Sequence, residues 1–530
     1  MLLDRRIFLK SLGVIGGSTL VSCNTMAPKE KLTAYLTPPK EMVPGIAAYY
    51  ATVCRACPAG CGILVKTREG RPIKLEGNPA HPVNRGKLCA RGQAFVQELY
   101  SAYRVQQPRL GQGGRAAPVS WKQAVEAVAQ KLKAGASVGF ITGLESSTFD
   151  GLVRDFGRAY PRFEHVVVEP YALSSMAEAS YRLFGRREVP HITLAHADFV
   201  LSLGADLLDT WVSPVEFSRQ WAARHGMAAG RLMEMVYAGP RRNLTATAAD
   251  KWIPVAPGRI AGIAHGVLLG VFEKKKGVFG ADAAKIAGAI KTLTPAVKLD
   301  DADKGIVSGL TKRLLASKTP VVLTGGADVT GEDATVLHGI VLLLNHLVGA
   351  MGTALVYGDA FALSRVSPEK RALQLVERAV RGEVDVLFVH GADPVYGLPG
   401  GDALRKAKYV VTLAHTHTDT TDLAHAVLPV HHPLESWGDY DVTGSRMGLM
   451  QPVRTPLFNS KHPGDLLVEL AEAAGKPLNV KDYKTYLVAS WTARVGVTPE
   501  PAPRTAPLPD ADAGVPEAVN FLEASDILRP

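Results

Sequence analysis

Four continuous apolar runs set the rhythm of this chain, at 137–143, 198–206, 320–328 and 385–393. Each closes on a glycine turn, and three read Gly-Ala-Asp: Gly204-Ala205-Asp206, Gly326-Ala327-Asp328 and Gly391-Ala392-Asp393. Apolar runs without polar alternation predict strands covered on both faces, hence parallel sheets flanked by helices. Between them lie stretches with helical spacing. Residues 120–134 place Trp121, Ala124, Val125, Val128 and Leu132 on one face, and 333–347 do the same with Val336, Ile340, Leu343, Leu344 and Leu347. Residues 243–318, rich in Ala, Lys and Gly, read as further helices. Nearer the start the period changes to two: 61–68 alternates, Glu69-Gly70 turns, and 72–76 answers as a hairpin. The fold class expected is α/β, with a small N-terminal β-rich domain at 48–105 and two doubly wound parallel-sheet domains. The first of these combines 106–135 with 318–475, the second is 136–317, and 476–530 forms a tail. Glycine turns at strand carboxyl ends allow close approach of a ligand or of backbone, and the strand ends are expected to face a common crevice.

A chain of 530 residues exceeds what one core supports, in keeping with several domains. The net charge is +10, but the basic residues are spread along the chain without an arginine-rich or aromatic-interleaved tract. Nucleic acid is therefore not expected as a partner, whereas an acidic partner or anionic membrane surface suits the charge. No Ser-His-Asp order or nucleophile elbow occurs. His415, His417, His425, His431 and His432 crowd a short span, yet neighbouring strand residues face opposite ways, so no metal site is expected there.

Only five cysteines occur. Cys54, Cys57 and Cys61 follow a C-x2-C-x3-C spacing, and Cys89 returns after 27 intervening residues. Four thiolates converging on one point suit a [4Fe–4S] cluster, one per iron. A zinc site and a pair of disulfides are the alternatives. The fifth, Cys23, ends a different pattern. Arg5-Arg6 precede Phe8-Leu9-Lys10 and a short apolar run, the form of a twin-arginine export signal. Leu20-Val21-Ser22-Cys23 resembles a lipobox, which makes 1–23 the signal, Cys23 the lipidation site and 24–47 a linker. Export by this route after folding would place the chain in the periplasm, held to the membrane by its lipid anchor, with its cluster already assembled.

The residues from Cys54 to Gly92, with Gly77-Asn78-Pro79 and Leu88-Cys89-Ala90-Arg91-Gly92, resemble the iron–sulfur entry domain of the molybdopterin oxidoreductases. The resemblance implies that Arg91 lies between cluster and pterin as an electron relay, where a fixed cation favours the reduced cluster. It also implies a cofactor crevice formed by Gly204, Asp206, Gly391, Asp393 and Glu435. The run around Gly204–Phe217 with Glu435-Ser436-Trp437-Gly438-Asp439 resembles one branch, the molybdopterin-like part of the large iron–sulfur subunit of alternative complex III. Two departures weigh against molybdopterin guanine dinucleotide as a working second cofactor. Ala172 or Leu173 falls at the metal-ligand place, with only Ser174 and Ser175 beside it, and no counterpart of the C-terminal β-barrel is expected after 475.

The function expected is an iron–sulfur electron-transfer subunit of a membrane-associated, quinone-linked respiratory oxidoreductase complex. Its implied partners are a ferredoxin-like iron–sulfur subunit, a quinone-binding integral membrane subunit and cytochrome c subunits. The alternatives are a catalytic molybdenum or tungsten subunit acting on a small oxyanion or sulfur compound, and a non-redox structural subunit.

Overall fold

The computed structural model describes Val43 and residues 45–495, less 113–115, 133–134, 227–229, 231, 296, 330 and 332–333. The export signal, Cys23, nearly all of the linker and the Pro-rich end of the chain lie outside the described residues. Chain order begins with a three-stranded antiparallel sheet, Ala48–Val53, Gly62–Arg68 and Arg71–Gly77, followed by the helix Ala90–Leu99. The hairpin is the one predicted, with a third strand on its other side.

Two larger sheets follow. One has seven strands in the order Ala117–Pro118, Arg109–Leu110, Ala426–Pro429, Val410–Ala414, Val386–His390, Ser137–Thr142 and Arg162–Val167. Its last five strands are all parallel. The other has four parallel strands, Lys251–Pro254, Glu234–Gly239, Phe199–Leu203 and Pro320–Thr324. All four apolar runs form strands buried on both faces, as their composition predicts; three are central, and Pro320–Thr324 lies at the edge of the four-stranded sheet. Along Val386–His390 the side chains alternate between two cores, Val386 and Phe388 on one face, Leu387 and Val389 on the other. Burial on both faces is why the run shows no polar alternation.

Strand pairing redraws the domain division. Ser137–Thr142 and Arg162–Val167 belong to the sheet with Val386–His390, not to a 136–317 unit. Conversely, Pro320–Thr324 pairs with Phe199–Leu203 and so leaves the 318–475 unit. Parallel strands need long crossovers, so sheet membership follows spatial pairing that local pattern does not encode. The predicted helices are present as Trp121–Ala129, with Ser120 and Gln123 forming a capping box, and as Ala334–Val348. Helices Leu244–Ala248, Pro257–Lys275, Ala283–Thr292 and Asp301–Ala316 account for most of 243–318, beside the edge strand Lys251–Pro254. The expected tail is partly body: helix Tyr483–Val495 buries Tyr483, Leu487 and Trp491 in the seven-stranded core, and Trp491 Nε1–H donates to Asp439 Oδ2 at 2.9 Å. Among the described residues no helix is long and apolar enough to cross a membrane.

Candidate functional site

The first three cysteines occupy the turn between Ala48–Val53 and Gly62–Arg68, closed by a 2.8 Å hydrogen bond from Cys54 N–H to the Cys61 carbonyl. Within it Gly60 holds φ at +57°, and a Cβ there would meet the Tyr440 ring at 2.4 Å. Both the backbone hand and the close approach require glycine. Asn84 clamps the returning loop to this turn. Its Oδ1 accepts from Gly62 N–H at 3.0 Å, and its Nδ2 donates to the carbonyls of Gly62 and Lys87 at 2.9 and 2.7 Å. That clamp delivers Cys89, which caps the N-terminus of Ala90–Leu99 with its Sγ accepting from Gly92 N–H at 3.4 Å.

All four thiols are free, which removes the disulfide alternative. Burial pushes the Cys54 thiol up to about 12, and pushes Cys57 up and Cys61 well up. The other cysteines add repulsion: Cys54, Cys57 and Cys89 each raise Cys61. Buried thiols such as Cys54 and Cys61, crowded by their neighbours, ionise readily only beside a compensating metal centre, so the donor set fits a four-iron cluster.

Two arginines flank the thiols. Arg91, half-buried, donates to Tyr171 Oη at 3.0 Å and to the Asp209 carbonyl at 2.9 Å, with its guanidinium 5.3 Å from the Tyr171 ring centre. Burial works against its charge, but Cys57 first, then Tyr171 and Cys89, outweigh that and push its pKa up. Arg91 thus sits beside Cys57 and Cys89, tied to Tyr171 and Asp209, and lines neither neighbouring cavity. Arg55 was not anticipated. It lies between the first two cysteines, donates to Glu145 Oε2 and the Leu144 carbonyl at 2.8 Å, and sits 4.1 Å from the Tyr440 ring centre. Its place inside the cysteine motif was the one available signal.

Beside Cys57 opens a cavity of about 350 Å³, lined by Arg55, Glu145, Glu169, His390, Asp439 and Tyr483 among others. A second cavity, about 720 Å³, shares Glu169, Pro170, Gly391 and His415 with the first. Gly391 lines both and Asp393 lines the larger one, but Gly204, Asp206 and Glu435 line neither. Asp206 Oδ1 is taken by Thr245 Oγ1–H at 2.6 Å. Glu435 is fully buried, paired with the equally buried Arg104 at 2.9 Å, and accepts from Leu457 N–H at 2.8 Å. It is a structural carboxylate, not a crevice residue. Asp393 also braces the fold, accepting from the Thr420 hydroxyl at 2.6 Å. The glycine turns serve backbone packing: a Cβ on Gly143 would lie 2.2 Å from the Gly391 carbonyl oxygen.

Residues 47–101 match the family description "Molybdopterin oxidoreductase Fe4S4 domain" and residues 104–473 match "Molybdopterin oxidoreductase". The chain belongs to the molybdopterin oxidoreductase family. A curated relative in Nitratidesulfovibrio vulgaris, "Menaquinone reductase, molybdopterin-binding-like subunit", is 28% identical, covering 93% of this chain and 75% of its own length. The alpha subunit of F420-dependent formate dehydrogenase of Methanocaldococcus jannaschii is 22% identical, over 80% of this chain and 70% of that one. Acetylene hydratase from Pelobacter acetylenicus shares the fold, with a TM-score of 0.64 at 16% identity over 85% of this chain and 72% of that one. The four cysteines thus belong to a family iron–sulfur domain, and this chain's cluster is a [4Fe–4S] centre. The family's second domain is compatible with a molybdopterin. Where the resemblance leads one to expect a metal ligand, Ala172 turns a methyl to the larger cavity, Leu173 is buried in the core, and only the Ser174 and Ser175 hydroxyls lie beside them. That donor set offers molybdenum no thiolate.

Proposed function

We propose that this oxidoreductase-family chain is the iron–sulfur electron-transfer subunit of a membrane-associated, quinone-linked respiratory complex. The observation that carries the reading is the contrast between two neighbouring places. The cluster site keeps all four thiols, a glycine turn and the Arg91 relay cation, whereas the ligand place beside it carries a methyl group. One-electron relay needs the first place and not the second. Arg91, held by Tyr171 and Asp209 beside Cys57 and Cys89, would favour the reduced cluster and bring electrons to the crevice side. A relative whose name records menaquinone reduction supports the quinone link. On this reading the chain is exported by its twin-arginine signal, lipid-anchored through Cys23 in the periplasm, and assembled with a ferredoxin-like subunit, a quinone-binding membrane subunit and cytochrome c subunits.

The test is elemental and spectroscopic. Protein purified from its membranes should contain four irons and four sulfides per chain, as a [4Fe–4S] centre requires. It should give an EPR signal on reduction, and retain neither molybdenum nor tungsten. Stoichiometric molybdenum or tungsten, with turnover of a small oxyanion, would overturn the relay reading in favour of catalysis.

A further inference from the structure

The histidine-rich span that local pattern left without a metal site acquires one partner from far away in sequence. Glu98 stands in the last turn of the helix that begins at Cys89, and its Oε1 lies 2.6 Å from His415 Nε2, just beyond the Val410–Ala414 strand. His432 completes the group. Its ring meets His415 edge-on, with centroids 5.5 Å apart at 90°, and one ligand atom from each of the three residues lies within 4.8 Å of the others.

We propose that Glu98, His415 and His432 form a binding site for a divalent transition-metal ion of the zinc type, separate from the cluster cysteines. Two imidazoles and one carboxylate are a recurrent ligand set for such an ion, leaving a fourth position for water. Here that position has somewhere to open: Glu98 and His415 both line the 720 Å³ cavity. His432 is fully buried and its Nε2 has no hydrogen-bond partner among the described residues. Burial holds its pKa well below the ordinary range, so the ring is neutral and offers a lone pair. Its Nδ1 accepts from Leu434 N–H at 3.2 Å. An ion at Nε2 moves the ring proton to Nδ1, and an ion at Nδ1 replaces the Leu434 contact. Either way the Leu434 contact is given up, and with the ion at Nε2 the Nδ1–H and the Leu434 N–H must move apart.

The charge around the site favours a cation. The larger cavity is lined by Glu98, Glu169, Glu369 and Asp393, with no lysine or arginine among its described lining residues. The nearby guanidinium of Arg104 is already neutralised by Glu435 at 2.9 Å. An acidic crevice concentrates cations and repels anionic groups such as a pyrophosphate. Tetrahedral ligand atoms stand farther apart than the 2.6 Å between Glu98 and His415, so binding spreads that pair apart.

The experiment uses the full-length, cluster-loaded protein. It is titrated with Zn²⁺ against a chromophoric chelator of micromolar affinity, and with Co²⁺ as an optical probe. One ion per chain beyond the cluster iron is expected, with the visible d–d absorption of four-coordinate Co²⁺. Glu98→Gln and His415→Ala should each weaken Zn²⁺ binding about 10- to 100-fold, as loss of groups at metal sites commonly does. Iron and sulfide content should stay unchanged, which separates this result from any failure of the cluster assignment. Should His415→Ala not fold, Glu98→Gln alone carries the test. No retained ion in the wild-type protein, or equal Zn²⁺ affinity in the wild type and Glu98→Gln, would overturn the proposal.

Discussion

The carboxyl ends of the two parallel sheets begin from the same sequence device and arrive at opposite outcomes. In the seven-stranded sheet the turns after Ser137–Thr142 and Val386–His390 frame cavities beside the cluster, with Glu145, His390 and Gly391 on their walls. In the four-stranded sheet the turns after Phe199–Leu203 and Pro320–Thr324 reach neither cavity, and their carboxylates are answered by the chain itself. Asp328 accepts from Tyr237 Oη–H at 2.8 Å and from Arg241 Nε–H at 2.6 Å, while Thr245 engages Asp206. A Gly-Ala-Asp turn is thus a backbone solution first. Whether it faces a ligand depends on which side chains other segments bring to it.

That comparison can be broken at several points. The largest effect is expected at the open end. Cys89→Ala removes one of the four iron ligands and should eliminate the EPR signal and nearly all bound iron, since the remaining three thiols are buried and raised. A variant that keeps iron and signal would refute Cys89 as a ligand. Next is Arg104→Met, which leaves Glu435 charged and unpaired in a fully buried position. Urea unfolding should show a loss of about 3–5 kcal/mol, because removing one partner of a buried pair strands the other.

Gly143→Ala probes the contact between the two glycine turns. Its Cβ would stand 2.2 Å from a backbone oxygen that cannot rotate away, so a loss of about 2 kcal/mol is expected by the same measurement. Tyr237→Phe at the closed end should cost about 1 kcal/mol, because Arg241 continues to serve Asp328. If Tyr237→Phe proves the costlier of the two, the closed end is the more tightly determined.

The smallest effect is a pH dependence in the four-stranded sheet. Burial pushes Asp198 up, but the Ser317 hydroxyl and the backbone N–H groups of Lys318 and Thr319 outweigh it and hold its carboxyl down to about 2. A carboxyl held below its ordinary 3.8 stabilises the fold above that value, and the contribution is lost as pH falls through 3.8 toward about 2. The stability difference between wild type and Asp198→Asn should therefore be constant at neutral pH and shrink across that acid window.

Much of this was legible in the residues. The four buried strands, the cysteine hairpin and the helices around Val125 and Leu343 each carry their signal within a window of about a dozen residues. The place of Arg91 beside the cysteines was legible through resemblance, because it follows the last cysteine at a fixed offset. Arg55, Glu98 and Arg104 were not. Each acts through a partner 90 to more than 300 positions away: Glu145, His415 and Glu435. The domain division failed for the same reason, since parallel strands pair across long crossovers and 137–142 finds 386–390 only in space.

The sequence by itself determined the cluster and the strand character of the apolar runs, because these depend on residue type and short spacing. Tertiary structure decided what the glycine turns face, that Glu435 is a buried counter-ion rather than a crevice residue, and that a carboxylate meets two histidines. Those outcomes depend on electrostatic and steric pairing between distant segments. Local periodicity carries no information about such pairs until the sheets have formed.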